Sequence, residues 1–113
     1  MESLGQHFQI YADKTMKEEL QLRIIKLMGL FEYLISMEKN PGIFIDIKKK
    51  YQKLLDSLST YGDIVEIGGD EFDIVESVFR MMYDAPTRDI HLGRYLLDRM
   101  QEIYLLSKKI SRK

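Results

Sequence analysis

A predominantly apolar stretch from Leu20 to Met37 constrains the fold of this chain more than any other feature. Twelve of its eighteen residues are apolar. Polar residues interrupt it at three-residue steps, at Arg23, Lys26, Gly29 and Glu32. Such steps drift by about 60° each around a helix of 3.6 residues per turn, so these residues make no fixed polar stripe. A helix over this stretch therefore has to be covered on most of its circumference, either by other helices or by a second copy of the chain.

The length and charge of the chain limit its organisation and its partners. With 113 residues it should form a single helical domain, 1–113, around one core. Seventeen basic and eighteen acidic side chains give a net charge of −1, which provides no overall field to attract nucleic acid or a membrane surface. The absence of cysteine rules out a disulfide framework and a thiolate site and is typical of a reducing compartment, so we expect a cytoplasmic protein.

Neither a signal peptide nor a membrane span is indicated. Residues 1–12 lack a basic start and an unbroken apolar run. The apolar stretch carries Arg23, Lys26 and Glu32, and each charge near the bilayer centre costs on the order of 3 kcal/mol. We expect no membrane association.

Start and stop signals predict an all-α fold, a bundle of four main helices. Thr15-Met16-Lys17-Glu18 has the form of a capping box and begins a helix over 15–39. A short extra helix or a packed arm precedes it in this interpretation. Asn40-Pro41-Gly42 forces a change of direction, after which a helix over 45–61 ends at Gly62.

The second half of the chain contains two further predicted helices. Asp70 is expected to cap a helix over 71–84, which Ala85-Pro86 ends. Thr87 is expected to cap the last helix, over 87–110, whose end carries Lys108 and Lys109 where the helix dipole favours positive charge.

The segment 62–84 contains seven carboxylates and one base, Arg80. Carboxylate oxygens suit Ca²⁺ or Mg²⁺, but the spacing does not match an EF-hand loop, so we predict no metal site. A solvated acidic surface that docks a basic partner is the favoured interpretation, because fields of one sign speed association. The predicted partner-binding residues are Asp63, Glu66, Asp70, Glu71, Asp73 and Glu76.

The pentapeptide Gly68-Gly69-Asp70-Glu71-Phe72 is similar to the signature of diguanylate cyclase domains. In that family it occupies the turn of a β-hairpin, and its carboxylates hold metal beside nucleotide phosphates. The Asn-Arg signature and the Asp-x-Asp-x-Phe-Lys strand of the family are absent from this chain. The capped start of an acidic helix explains the same five residues, and we favour that interpretation.

A basic run on the second predicted helix supports an alternative fold and function. Its members are Lys48, Lys49, Lys50 and Lys53. If residues 64–75 formed a β-hairpin, the chain would be a dimeric winged-helix transcriptional regulator, with these lysines contacting DNA phosphates. The carboxylates of this segment argue against the alternative, because such a wing would place them beside the negatively charged DNA backbone.

The sequence indicates no catalytic chemistry. The two histidines, His7 and His91, lie 84 positions apart and fit neither a metal-binding nor a triad spacing. We therefore predict a non-enzymatic protein–protein interaction module, a small intracellular adaptor, inhibitor or regulator without cofactors. The need to cover two largely apolar helices favours a homodimer, since an obligate dimer interface resembles a domain core cut in half.

Overall fold

A computed structural model describes the backbone of residues 2–60, 69–85 and 87–110, and the side chains of residues 15–58, 69–85 and 87–110. Four helices account for most of this chain: α1 (Glu2–Met37), α2 (Gly42–Thr60), α3 (Gly69–Asp84) and α4 (Ile90–Ile110). None of the described residues forms a strand. The predicted all-α bundle of four main helices is therefore confirmed.

Each helix buries one stripe of residues that recur at alternating steps of three and four. In α1 the stripe is Leu20, Ile24, Leu27, Phe31 and Leu34, and in α2 it is Phe44, Ile47, Tyr51, Leu54 and Leu58. In α3 and α4 it includes Val75, Val78, Met82, Leu96, Met100, Ile103 and Ile110. This spacing, which averages 3.5 residues, keeps the apolar seam of a helix facing the same neighbours along its length. The four stripes meet in a single core.

The helices pack as a ring in which each contacts two others. The contacting pairs are α1 with α2, α2 with α3, α3 with α4, and α4 with α1. Backbone Arg88 donates a hydrogen bond to Glu38 Oε1 over 2.7 Å, so the end of α1 lies beside the start of α4. Ser57 near the end of α2 likewise contacts Glu71 near the start of α3. Neighbouring helices are therefore antiparallel, as in an up-down-up-down bundle.

The helix boundaries differ from the predicted ones at several points. Helix α1 is continuous from Glu2, so it includes the N-terminal residues for which the sequence predicts a separate short helix or an arm. Helix α2 begins at Gly42 rather than at residue 45, directly after Pro41 fixes the backbone. The backbone N–H of Leu92 donates to Asp89 Oδ1 over 3.1 Å, which makes Asp89, not Thr87, the N-cap of α4.

The alternative with a hairpin at 64–75 is wrong for the part that the structure describes. Residues 69–75 lie in α3, and the helix dipole there is complemented by Asp70 and Glu71 in its first turn. The first strand of that hairpin, at 64–67, lies outside the described residues.

Helix α1 is much longer than its neighbours. Its 36 residues correspond to a rod of about 54 Å at 1.5 Å per residue, and the molecule extends over 58 Å in its longest direction. Despite its apolar stretch, neither α1 nor any other helix in the described part of the chain is long and apolar enough to cross a bilayer. Among the described helices only α2 and α4 contact α1, so they do not supply the predicted cover around most of its circumference.

Candidate functional site

The surface groove between α3 and α4, which we call the α3–α4 seam, is formed by Phe79, Tyr83, Ile90, Leu97 and Tyr104. Phe79 and Tyr104 line a depression of about 320 Å³. The other three residues line a second depression between the same two helices, of about 210 Å³. Tyr83 and Ile90 are 72% and 71% exposed, more than any other large apolar side chain that the structure describes. Arg80 and Gln101 also line the first depression, and Arg94 lines the second. The seam is therefore an open row of apolar side chains flanked by polar and charged ones.

The residue spacing of both helices produces this seam. On α4, Ile90, Leu97 and Tyr104 recur every seven residues, and on α3 Phe72 and Phe79 do the same. A seven-residue repeat stays on one side of a helix, here directly beside the buried stripe. The ring centroids of Phe72 and Tyr104 lie 5.5 Å apart, a normal distance for an aromatic pair, and close the far end of the seam. This second repeat is the sequence signal that could have identified the seam.

Carboxylates line the outer face of α3 beside the seam. Asp70, Asp73 and Asp84 are exposed, and Glu76 is half-buried. The one base on α3, Arg80, lies 3.5 Å from Glu76 in an exposed pair. Since a surface pair of this kind contributes little energy, the face keeps its negative character.

The predicted acidic surface needs one correction, at Glu71. This residue is only 7% exposed. The Ser57 hydroxyl donates a hydrogen bond to Glu71 Oε1 over 2.7 Å, so the carboxylate joins α2 to α3. Glu71 is therefore a buried structural residue and not part of the surface. Asp63 and Glu66 lie outside the described residues.

The four lysines of the alternative function lie along α2 without forming one uniform patch. Lys48 Nζ is 2.8 Å from Glu32 Oε1, an ion pair between α2 and α1. Lys49 and Lys53 are exposed, and Lys50 is half-buried. The opposite side of α2 carries its buried stripe, so the lysines occupy the solvent side of an amphipathic helix.

A network of ion pairs spans α1 and α4. Arg23 contacts Glu19 over 2.9 Å and Glu102 over 2.6 Å. Glu102 also pairs with Arg99 over 2.9 Å, and the Arg99 guanidinium lies 5.0 Å above the Tyr95 ring. These residues line both sides of a groove of about 280 Å³ between the two helices, which we call the α1–α4 groove. Because its guanidiniums already face carboxylates, the groove is not an evident anion site.

No catalytic or metal-binding arrangement is apparent in the described part of the chain. His91 is exposed on α4, and the side chain of His7 lies outside the described residues. Among the described side chains no three His, Cys, Asp or Glu residues converge as metal ligands would. Residues 69–72 form the first turn of α3, so they do not adopt the hairpin turn of the cyclase signature. Gly68 lies outside the described residues.

Comparison of the chain with protein families, with characterised proteins and with solved structures finds no match. Any inference about function therefore rests on the surface features described above.

Proposed function

We propose that the chain is a non-enzymatic protein-binding module, an adaptor, inhibitor or regulator that acts in the cytoplasm. The observation that carries this proposal is the α3–α4 seam with Tyr83 and Ile90 mostly exposed at its mouth. Contiguous exposed apolar surface with a polar rim marks interaction sites. Tyrosine is also enriched among the residues that dominate binding energy.

The chemistry of the surroundings defines the kind of partner. Asp73, Glu76 and Asp84 carry negative charge along the side of the seam formed by α3. A partner that presents apolar side chains next to lysine or arginine would fill the seam and face these carboxylates. Complementary charge of this kind raises association rates and specificity more than affinity.

A comparative capture experiment tests the proposal. The wild-type chain, Tyr83→Ala and Asp73→Lys are immobilised separately and exposed to a lysate of the cells that produce the chain, and bound proteins are quantified by mass spectrometry. Ile43→Ala serves as the control, because Ile43 is an exposed apolar residue at the start of α2, a helix that takes no part in the seam. A true partner is retained by the wild type and the control and is depleted by both seam variants.

Reconstitution with the purified candidate then gives the magnitude. Loss of a tyrosine that dominates binding energy costs about 2 kcal/mol or more, so Tyr83→Ala should weaken binding by at least about thirtyfold in calorimetry. A candidate whose affinity is the same for Tyr83→Ala and the wild type would contradict the assignment of the seam. The proposal fails if no bound protein responds to either seam variant.

A further inference from the structure

The outer face of α1 is an apolar surface that the bundle leaves uncovered. Leu22, Ile25 and Tyr33 on this face are 47%, 53% and 59% exposed. Gly29 lies at its centre, and a Cβ atom built there would meet no atom within 4 Å. Packing within the bundle therefore does not require a glycine at this position, although glycine weakens a helix interior. A second helix whose backbone approached this position closely would require a glycine there.

The α1–α4 groove opens beside this face. Leu22, Lys26 and Leu30 form its α1 wall, and Tyr95 and Arg99 belong to its α4 wall. Its volume of about 280 Å³ is sufficient for one large side chain. Both Leu22 and Tyr95 are about half-exposed, so the groove has apolar surface still open to contact.

We propose that a second copy of this chain covers the outer face of α1, with the two α1 helices antiparallel and related by a two-fold axis at Gly29. The proposal is independent of the α3–α4 seam, which is formed by different residues. In an ideal helix Tyr33 lies about 40° around the axis from Gly29 and about 6 Å along it. Lys26 lies about 60° around on the same side and about 4.5 Å along the axis in the opposite direction.

The two-fold axis brings these two positions together. It reverses the direction of the second helix but preserves the side, so Tyr33 of the second copy comes beside Lys26 of the first, at the mouth of the α1–α4 groove. The arrangement is reciprocal, as an isologous interface must be. Each exposed tyrosine then fills the groove of the other copy, and Gly29 allows the two backbones to approach closely.

The direction of the second helix decides whether its Tyr33 can reach the groove. A parallel two-fold arrangement keeps Tyr33 of the second copy at the height of residue 33 and moves it to the side of Gly29 that faces away from the α1–α4 groove. Only the antiparallel arrangement therefore brings Tyr33 beside Lys26 and the groove.

Sedimentation equilibrium or light scattering across a wide concentration range tests the proposal. We expect the wild type to dimerise, Tyr33→Ala to weaken dimerisation by about a thousandfold because both copies lose an aromatic anchor, and Gly29→Gln to abolish it. Gly29→Gln should not unfold the chain, because the site is open to solvent. Tyr83→Ala is the matched control and should dimerise like the wild type.

Disulfide trapping tests the direction of the helices, because the chain has no cysteine of its own. The double variant Lys26→Cys/Tyr33→Cys should form an intermolecular disulfide between position 26 of one copy and position 33 of the other. Lys26→Cys alone and Tyr33→Cys alone should not crosslink, because the two copies of either position lie at different heights in the antiparallel arrangement. A wild type that stays monomeric at every concentration overturns the proposal, and so does a dimer that Gly29→Gln and Tyr33→Ala leave intact. Neither result bears on the seam, whose test depends on the loss of a bound partner from Tyr83→Ala and Asp73→Lys.

Discussion

Replacing Tyr51 by phenylalanine should stabilise the bundle, although removing a buried hydroxyl usually destabilises a protein. Tyr51 is fully buried in α2, and its ring packs against Phe31 with centroids 6.3 Å apart. Its hydroxyl has no hydrogen-bond partner among the described residues. A buried polar group without a partner costs about 1–3 kcal/mol, whereas the void left by one oxygen atom costs a few tenths at about 24 cal/mol per Å³. The net gain should be about 1 kcal/mol, or a rise in Tm of about 4 °C.

Alkaline pH should enlarge this difference. Burial raises the pKa of Tyr51 far above its usual range, because the phenolate would be desolvated in the core. The unfolded chain loses this proton near pH 10 but the folded chain keeps it, so the stability that the wild type has below about pH 10 declines at higher pH. Phenylalanine cannot ionise, so the advantage of the variant should grow by about 1.4 kcal/mol at about pH 11.

Urea unfolding followed by far-UV dichroism at about pH 7 and about pH 11 measures both effects. Tyr83→Phe provides the matched control, because this tyrosine is mostly exposed and its substitution should change neither value. If Tyr51→Phe is destabilised by 1 kcal/mol or more, as for a hydrogen-bonded tyrosine, the reasoning from an unsatisfied hydroxyl is refuted.

Three further predictions concern stability and nucleic-acid binding. Gly93→Ala should destabilise the chain by about 1–2 kcal/mol, because the new Cβ would meet three atoms of the stiff Thr87 side chain. Gly29→Ala, measured on dilute monomer, should instead stabilise the chain by up to about 1 kcal/mol, because its new Cβ would meet no atom. Equal changes in the free energy of unfolding for the two variants would contradict this reasoning. Glu71→Ala should cost about 2 kcal/mol in thermal unfolding through loss of a buried charged hydrogen bond, and a neutral result would contradict its structural role. Replacing Lys49 and Lys50 by glutamate should change neither the fold nor the binding of a partner to the α3–α4 seam. If the wild type binds duplex DNA at low salt and this variant does not, the DNA-binding alternative is supported instead.

Local periodicity was sufficient to predict the helices and much of the core. Ile47, Tyr51, Leu54 and Leu58 fall at helical spacing in the sequence, and all four are buried. Helical spacing follows from the backbone geometry of 3.6 residues per turn, so it can be read without knowledge of the neighbours. The break at 40–42 was predicted for a similar reason, since proline and glycine restrict or free the backbone locally.

Residues at helix ends were harder to predict because several polar residues compete for one role. Both Thr87 and Asp89 are suitable N-caps, and only the hydrogen bond from Leu92 shows that Asp89 caps α4. Thr87 instead packs against Gly93. Glu71 shows the same difficulty. Its charge suggested the surface, but Ser57 of the neighbouring helix accounts for its burial.

The sequence by itself determined that this chain forms amphipathic helices with a break after α1, and that α1 has more apolar surface than one side of a bundle uses. Only the tertiary structure decided which part of that surface stays open. Because α1 is apolar around most of its axis, its own pattern does not distinguish Phe31, which is buried, from Tyr33, which is exposed. Burial of a side chain depends on which helices pack beside it, and here α2 and α4 cover one side of α1 and leave the face around Gly29 open.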